Sequence, residues 1–299
     1  MILHYITREA IQHMRTLRSY RLFCILLAVI AAVGLICGSF WDLTISQALY
    51  HRNQPLCMIL EAICFFPIYF PIALLAALLS VRGKHHGLRI LGRLLTGIVL
   101  TVIIAVGLSY LHKRGVWADA SLLIQCLLCL FAGFLMESAL YALLKRRSPS
   151  ACRKLFWLGM LGCCYLLWEL ACVQGLKALA GRPRYETLLQ GAGSFSPWYV
   201  FSHQGGSSFP SGHTAASCGI LLSLLLPAFF PSLRKYRPLI QIGSACYIAI
   251  SGFSRIVIGK HFLSDVCFAV LLMLLGLILL LQGYEHLQRR FSQLPTLCN

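Results

Sequence analysis

The chain has 299 residues, of which 59% are hydrophobic and only 12% are charged, and its mean hydropathy is +0.77. A soluble globular domain has too little polar surface to cover so much apolar material, so the composition excludes that class and indicates a membrane protein. The formal net charge of +17 suggests a nucleic-acid-binding protein only if the basic residues form one surface.

Eight apolar runs are long enough to cross a bilayer as helices, which takes about 20 residues each. In chain order they lie at about Leu22–Phe40, Cys57–Ser80, Leu94–Tyr110, Leu122–Leu144, Phe156–Leu176, Pro210–Phe230, Leu239–Ser254 and Phe262–Gln282. They predict an all-α, polytopic bundle of about eight transmembrane helices in one membrane domain, residues 22–282. The first run is longer than the apolar region of a signal peptide and lacks a small-residue cleavage site, so we interpret it as a retained span.

Three segments outside these runs carry weaker signals. Residues 1–21 repeat apolar residues at helical spacing with arginines between them, which is typical of an amphipathic helix in the membrane interface, a frayed tail being the alternative. Trp41 to Tyr50 resembles an interfacial segment or a plain connector. The long connection from Arg182 to Phe209 is predicted to fold over the outer surface.

The basic residues follow the positive-inside rule when the N-terminus is placed in the cytoplasm. Most of the 26 Lys and Arg residues then fall in cytoplasmic segments, and both termini, including the tail at residues 283–299, are cytoplasmic. This distribution explains the net charge without a nucleic-acid partner. Five basic residues break the rule because they cluster in two outward segments: Lys177, Arg182, Arg184, Arg255 and Lys260.

Cysteines and intramembrane carboxylates have ordinary structural explanations. Most of the fourteen cysteines lie inside apolar runs, where a thiol behaves as a small hydrophobic group. Cys126 and Cys129 have no second pair or nearby His, so we predict no metal site there. Glu61, Glu137 and Glu169 could mark an ion path, but hydrogen bonds between packed helices explain them better.

Three segments bring unusual polar residues to one predicted side of the membrane. The first runs from Lys177 to Arg184, the second from Phe209 to His213, and the third from Ser254 to Asp265. The topology was assigned from loop charge alone, so their convergence is independent evidence for a site. Taken singly, each residue could be a helix cap or a side chain that snorkels to the headgroups, but those explanations do not predict the convergence.

The cations in these segments predict an anion site. Lys177, Arg182, Arg184 and Arg255 supply donors, and guanidinium groups match the oxygens of phosphate. The Pro-Ser-Gly sequence at residues 210–212 opens a helix, where free backbone N–H groups favour an oxyanion. Phosphate fits these donors better than carboxylate because it accepts hydrogen bonds from several directions.

Two histidines and an aspartate supply the groups that phosphoryl transfer needs. His261 and Asp265 are four residues apart and share one helix face if the eighth span begins near His261. Asp265 is then expected to hold one imidazole N–H and leave the other nitrogen free to attack phosphorus. His213 comes from another helix and is expected to protonate the leaving oxygen.

In order and spacing, the three segments resemble the signature of the phosphatidic acid phosphatase type 2 superfamily: Lys-x6-Arg-Pro, Pro-Ser-Gly-His and Ser-Arg-x5-His-x3-Asp. Lys177 and Arg184 fit the first part, Pro210 to His213 the second, and Ser254, Arg255, His261 and Asp265 the third. Tyr185 departs from the pattern, since it stands where the first part usually has a Pro. That departure affects only the local course of the backbone.

The resemblance implies a six-helix core, so two of the eight spans are additional, either the first pair or the third and fourth. It implies that His261 is the nucleophile that forms a phosphoenzyme, that Asp265 orients it, and that His213 is the acid for the leaving group and then the base for water. It also implies catalysis without a metal or other cofactor, and phosphate binding by Lys177, Arg184, Ser211, Gly212 and Arg255.

The sequence thus predicts a phosphatase for a lipid phosphate or lipid pyrophosphate, in a bacterial plasma membrane, with its site facing the periplasm or cell exterior. One alternative is a phosphotransferase that passes the phosphate of a lipid pyrophosphate to another lipid. A protein that binds or transports a phosphorylated lipid is an alternative from a different class. Undecaprenyl pyrophosphate, phosphatidylglycerol phosphate, phosphatidic acid and lipid A phosphates share the same headgroup chemistry, so the lipid, like the oligomeric state, stays open.

Overall fold

The computed structural model describes the backbone of residues 2–113, 115 and 121–293 and the side chains of residues 20–113, 115 and 121–286. Within those ranges the chain is helical and contains no β-strand, which confirms the all-α prediction. The α-helices are α1 (Ile2–Leu49), α2 (Pro55–Ile63), α3 (Phe66–Arg82), α4 (His86–Lys113), α5 (Leu122–Lys145), α6 (Pro149–Ala180), α7 (Tyr185–Leu189), α8 (Gly212–Ser217), α9 (Leu226–Phe229), α10 (Arg237–Val257) and α11 (Leu263–Gln293). Two 3₁₀ helices, Cys218–Leu225 and Pro231–Tyr236, flank α9.

Eight helical stretches of the described chain are long and apolar enough to cross a membrane, which confirms the predicted number. In chain order, spans 1 to 8 are Tyr20–Leu49, Pro55–Arg82, His86–Lys113, Leu122–Lys145, Pro149–Leu189, Gly212–Phe229, Pro231–Val257 and Leu263–His286. Each contains one of the apolar runs or most of it, because the length of an apolar run is set by the thickness of the bilayer.

Span 1 extends beyond the predicted run. Trp41 to Tyr50, which we expected to be an interfacial segment or a connector, continues α1 as far as Leu49. This segment has no Gly or Pro to interrupt a helix, and it places Asp42 and Ser46 inside the protein, 2% and 0% exposed. The side chains of residues 1–19 lie outside the described set, so the interfacial placement of residues 1–21 and the cytoplasmic position of both termini stay predictions.

The helices pack in two groups, one around α11 and one around α3, and α6 contacts both. Helix α1 runs along α11, and α11 also contacts α6, where Tyr165 donates to the carbonyl of Met273 (2.9 Å) and Trp168 to that of Leu272 (3.0 Å). Helix α3 lies against α6 on one side and against α4 and α5 on the other. Helices α4 and α5 make their main contacts with α2, α3 and each other. Spans 3 and 4 therefore lie at the edge of the bundle, where a pair added to a six-helix core is expected; the division between core and added helices stays a prediction.

The outward faces of the bundle are apolar. On span 1, Leu22, Val29 and Ile36 are 69%, 54% and 61% exposed, and on span 4 Leu122 and Phe131 are 76% and 61% exposed. Exposing side chains of this size to water would cost free energy, whereas lipid tails surround them favourably.

One end of the bundle gathers the three motif segments. The backbone N–H of Glu186, just after the first segment, donates to the carbonyl of Gly259 in the third (3.0 Å). The backbone N–H of Ser211, in the second segment, donates to the carbonyl of Asp265 in the third (3.1 Å). The third segment therefore ties the other two together.

Candidate active site

The first motif segment ends α6 and then turns across the end of the bundle. Lys177 lies in the last turn of α6, and Gly181 closes that helix with a φ of 59°, a left-handed conformation that favours glycine. The chain then enters α7 at Tyr185, the position that departs from the family pattern. The buried ring of Tyr185 packs edge-on against Phe262, with 6.3 Å between centroids, so an aromatic contact fixes the backbone here.

Arg182 is the centre of a buried ion-pair network. Its Nη1 donates to Asp265 Oδ1 at 2.5 Å, and its Nη2 donates to Asp42 Oδ2 at 2.9 Å. Its Nε donates to the carbonyl of Ser196 at 2.8 Å, and its guanidinium lies 4.3 Å from the ring centroid of Phe262. Only 1% of Arg182 is exposed. The expectation that Arg182 belongs to the anion site is therefore wrong, because the protein itself uses its donors to join α1 to α11.

Asp265 organises the start of α11 and does not hold the imidazole of His261. Its Oδ2 accepts from the backbone N–H of Phe262 at 2.8 Å, as the acidic residue of a capping box does. The same oxygen lies 3.9 Å from His261 Nδ1, beyond hydrogen-bonding distance. The predicted direct hydrogen bond is wrong because α11 begins at Leu263, after His261, and its first turn directs the carboxylate to the helix end.

His261 is held by a backbone carbonyl. Its Nδ1 lies 2.6 Å from the carbonyl oxygen of Ser208, and its side chain is 2% exposed. A carbonyl oxygen can only accept, so Nδ1 carries the proton and Nε2 has the free lone pair. Burial lowers the pKa of His261 well below its ordinary value, and the charges of Lys177 and Arg184 lower that pKa further. The imidazole is therefore neutral near pH 7, with Nε2 able to act as a nucleophile.

Ser208 connects Asp265 to His261. The Ser208 hydroxyl donates to Asp265 Oδ2 at 2.5 Å, while the Ser208 carbonyl accepts the proton of His261 Nδ1. The side chain of Ser208 is fully buried. Asp265 therefore orients His261 through Ser208 and its backbone, not by direct contact.

Ser211 and Gly212 form the start of α8. The Ser211 hydroxyl caps this helix by accepting from the N–H of Thr214 at 3.3 Å, and its backbone N–H donates to Asp265. The backbone N–H of Ser211, which we expected to be free for phosphate, is thus bound within the protein. At Gly212, an added β-carbon would lie 3.0 Å from Lys177 Nζ, so the missing side chain lets the ammonium group approach the helix start.

His213 is enclosed by groups from the first half of the chain. The ring centroid of Phe65 lies 4.5 Å from that of His213, and the ring of Tyr110 packs edge-on at 5.1 Å. His213 Nε2 lies 3.9 Å from Glu61 Oε1. This nitrogen is buried and has no hydrogen-bond partner among the described residues. Such an atom costs stability, which is typical of a group kept for a ligand or a reaction.

Three cations lie around the two histidines, and we call Lys177, Arg184 and Arg255 the cationic cradle. Arg255 is 1% exposed and its Nη1 lies 3.3 Å from Glu61 Oε1. The side chain of Arg184 is 33% exposed and donates to the hydroxyl of Ser207 at 2.9 Å. Each member of the cradle is close enough for its charge to lower the pKa of His261. Lys260, the fifth basic residue of the motif segments, is ion-paired with Glu186.

The donor set favours an anion. Within the described part of the chain, no three His, Cys, Asp or Glu side chains are grouped as metal ligands, and the thirteen described cysteines are free. The charged groups around His261 are instead the three cations of the cationic cradle, and such cations bind oxyanions. The arrangement can hold a phosphoryl group beside a neutral imidazole.

Sequence reasoning missed residues that organise the site from outside the motifs. Asp42 lies in the segment we expected to be interfacial, Glu61 was assigned to helix packing, and Ser208 precedes the second motif. The sequence did hold a signal for Asp42 and Glu61. The chain has only nine Asp and Glu residues and many more cations, so an acidic residue near the end of a span is expected to form an ion pair. Ser208 gave no signal, since it acts through its carbonyl.

Comparisons with known proteins match a family model to the part of the chain that holds these motifs. The PAP2 superfamily model matches residues 154–289, which contain all three motif segments. Over 93 residues the chain is 33% identical to the phosphatidylglycerophosphatase B of Bacillus subtilis (strain 168), an alignment that covers 30% of this chain and 45% of that relative. The chain therefore matches less than half the length of that relative, and no solved structure matches it. Residues 154–289 of the chain are thus similar to the PAP2 superfamily.

Proposed function

We propose that this protein is an integral membrane phosphatase that hydrolyses a lipid phosphate or lipid pyrophosphate through a phosphohistidine on His261. The observation that carries the proposal is the contact of His261 Nδ1 with the Ser208 carbonyl at 2.6 Å, because it leaves Nε2 free beside the cationic cradle. Similarity to a protein named phosphatidylglycerophosphatase B supports a phosphorylated lipid as the substrate.

In the first half-reaction, His261 Nε2 attacks phosphorus while the bond from phosphorus to the leaving oxygen breaks. His213 gives its proton to that oxygen, which departs as an alcohol from a lipid phosphate or as a lipid monophosphate from a pyrophosphate. Lys177, Arg184 and Arg255 hold the non-bridging oxygens as charge redistributes. These cations supply the charge stabilisation, so the proposal needs no metal.

In the second half-reaction, water attacks the phosphoryl group on His261. His213, now neutral, accepts a proton from the water, and the bond from nitrogen to phosphorus breaks with its electron pair returning to Nε2. Asp265 and Ser208 keep the imidazole oriented through both steps. Inorganic phosphate leaves, and both histidines return to their starting protonation states.

The loop between the first and second motifs suggests how a lipid reaches the site. Tyr199 and Phe201 are 61% and 51% exposed, and Trp198 precedes them. Aromatic residues of this kind settle at the level of lipid headgroups, which supports entry of the substrate from the bilayer. The excess of basic residues in the opposite loops supports a site on the outer face of a bacterial plasma membrane.

Phosphate release from a panel of lipid phosphates, by purified protein in detergent with a chelator present, tests the proposal. His261→Ala is expected to lower release by roughly 10⁴-fold or more, because it removes the atom that forms the covalent bond. The control is His86→Ala, which removes an exposed imidazole from the first turn of α4, whereas Tyr110, the α4 residue that contacts His213, lies in its last turn. This variant is expected to leave phosphate release unchanged. Unchanged release by His261→Ala, or a requirement for a divalent cation, contradicts the mechanism.

The same preparation separates hydrolysis from phosphotransfer. A labelled lipid pyrophosphate is supplied with and without a second lipid that carries a free hydroxyl or phosphate. We expect the label to appear as inorganic phosphate in both cases. Transfer of the label to the second lipid supports the phosphotransferase, and binding without turnover across the panel supports a binding or transport protein.

A further inference from the structure

Glu61 is a carboxylate at the candidate active site that lies outside the three motifs. It belongs to α2, in span 2, and only 3% of it is exposed. It also lies outside residues 154–289, the region that matches the family. A buried carboxylate in a membrane protein is costly unless its charge is used, so its neighbours indicate its role.

Two groups of the site share one oxygen of Glu61. Its Oε1 lies 3.3 Å from Arg255 Nη1 and 3.9 Å from His213 Nε2. Arg255 belongs to the cationic cradle, and His213 is the proposed proton donor to the leaving group. Glu61 is therefore placed between the group that holds phosphate and the group that protonates the product.

The surroundings of His213 explain why a carboxylate is needed there. Four cations, Arg255, Lys177, Arg184 and Lys260, lie close enough to the ring for their charges to act on it. Phe65 and Tyr110 pack against the ring, whose side chain is only 16% exposed, so little water screens those charges. A negative charge 3.9 Å from Nε2 is too far for a hydrogen bond, but it favours the protonated ring by Coulomb attraction.

We propose that Glu61 is a positioning residue that holds His213 in its protonated, donating form and anchors Arg255 beside the transferred phosphate. The inference rests on the proposed phosphatase function. When His213 has given its proton to the leaving oxygen, Glu61 stabilises the imidazolium that forms again as His213 accepts a proton from water. Carboxylates that orient a catalytic histidine act in the same way on unrelated folds.

Glu61→Gln tests this role because it keeps the size and removes the charge. We expect kcat to fall roughly 100-fold, within the range that general acid–base catalysis supplies. We expect inhibition by inorganic phosphate to be unchanged or stronger, because a negative charge beside Arg255 is removed from the anion site. Glu61→Asp retains the charge and is expected to recover part of kcat.

Glu137→Gln is the matched control. Glu137 is another buried carboxylate in a span, 4% exposed, and it pairs with Arg93 at 2.9 Å. Because it lies on α5, outside the site, its substitution is expected to change kcat by less than about twofold while removing a comparable intramembrane ion pair. Thermal unfolding in detergent, measured for both Gln variants, separates loss of folded protein from loss of turnover.

A double-mutant cycle shows whether Glu61 acts through His213. The rate at which the phosphoenzyme forms in a single turnover is measured for wild type, Glu61→Gln, His213→Asn and the double variant. If Glu61 acts through His213, the Gln substitution changes the rate less than about threefold when His213 is already absent. Equal, independent effects in both backgrounds contradict the proposal.

Other outcomes also decide the question. A kcat for Glu61→Gln within about threefold of wild type contradicts the proposal. Weaker inhibition by phosphate that accounts for the whole loss of activity also contradicts it, because Glu61 would then only position Arg255. If the wild-type protein releases no phosphate from any lipid, the proposed function fails by itself. In that case the test is the rise in unfolding temperature that inorganic phosphate causes. Removing the charge of Glu61 should leave this rise in Glu61→Gln at least as large as in wild type, and a smaller rise contradicts the role of Glu61.

Discussion

Arg182 and Arg184 are two residues apart in the same motif segment, yet they have opposite surroundings. Arg182 is 1% exposed and makes ion pairs with Asp42 and Asp265 at 2.9 and 2.5 Å. The side chain of Arg184 is 33% exposed, its nearest described carboxylate, that of Glu186, is 3.8 Å away, and its buried Nε has no partner among the described residues. The comparison teaches that the protein uses the donors of Arg182 for its own fold and leaves Nε of Arg184 over, which is why we propose that Arg184 binds the ligand.

The largest expected effect comes from breaking the Arg182 network. Arg182→Met leaves two buried carboxylates, Asp42 and Asp265, without their cation, which is expected to cost about 3–5 kcal/mol of stability. Arg184→Met removes a partly exposed ion pair and is expected to cost less than about 1 kcal/mol. Thermal unfolding of the two variants in the same detergent measures the difference.

Equal stability of the two variants would show that the ion pairs of Arg182 do not stabilise the fold. A second variant, Asp42→Asn, checks the same point from α1, because it removes one of the two carboxylates and keeps the size of the side chain. It is expected to destabilise less than Arg182→Met, since Asp265 still pairs with Arg182.

The next effect in size concerns catalysis. Arg184→Met is expected to lower kcat/KM roughly 100-fold, as the loss of one donor that stabilises developing charge does in other enzymes. Arg184→Lys keeps the charge without the planar fork and is expected to recover part of the activity. Hydrolysis of the best lipid phosphate of the panel measures both variants, and full activity of Arg184→Met excludes Arg184 from the cationic cradle.

The contrast between these arginines also separates the features that the sequence predicts from those that it does not. The eight spans follow from the length of apolar runs, and the three motif segments follow from residue types and spacing that serve one chemistry. Both signals are local, so the all-α class and the resemblance to a family can be read from the sequence without any knowledge of contacts. The assignment of Arg182 to the anion site failed because its ion pair with Asp42 joins positions 140 residues apart.

The orientation of His261 was hidden for a different reason. A spacing of four residues predicts that Asp265 meets the imidazole only if both lie in one helix, and α11 begins between them, at Leu263. The group that holds His261 Nδ1 is the carbonyl of Ser208. Every residue has a carbonyl, so no residue type in the sequence could have indicated it.

The smallest expected effect is a displacement of the pH profile. Burial is the largest cause that lowers the pKa of His261, followed by the charges of Lys177 and Arg184. Because only the neutral imidazole attacks, the acid limb of kcat/KM, which reports the free enzyme, lies below the pH at which an ordinary histidine titrates. Removing the charge of Arg184 raises the pKa of His261, so in Arg184→Met activity is lost at a higher pH than in wild type.

Arg184→Lys is the control for this shift, because it keeps the charge and should keep the acid limb near that of wild type. The shift in Arg184→Met is expected to be only part of the whole, since burial and the charge of Lys177 remain. Using one lipid phosphate for all three proteins removes the ionisation of the substrate from the comparison. An acid limb that stays in place or moves to lower pH in Arg184→Met would mean that its charge does not reach His261, and the division between a structural Arg182 and a ligand-binding Arg184 would then rest on kcat/KM alone.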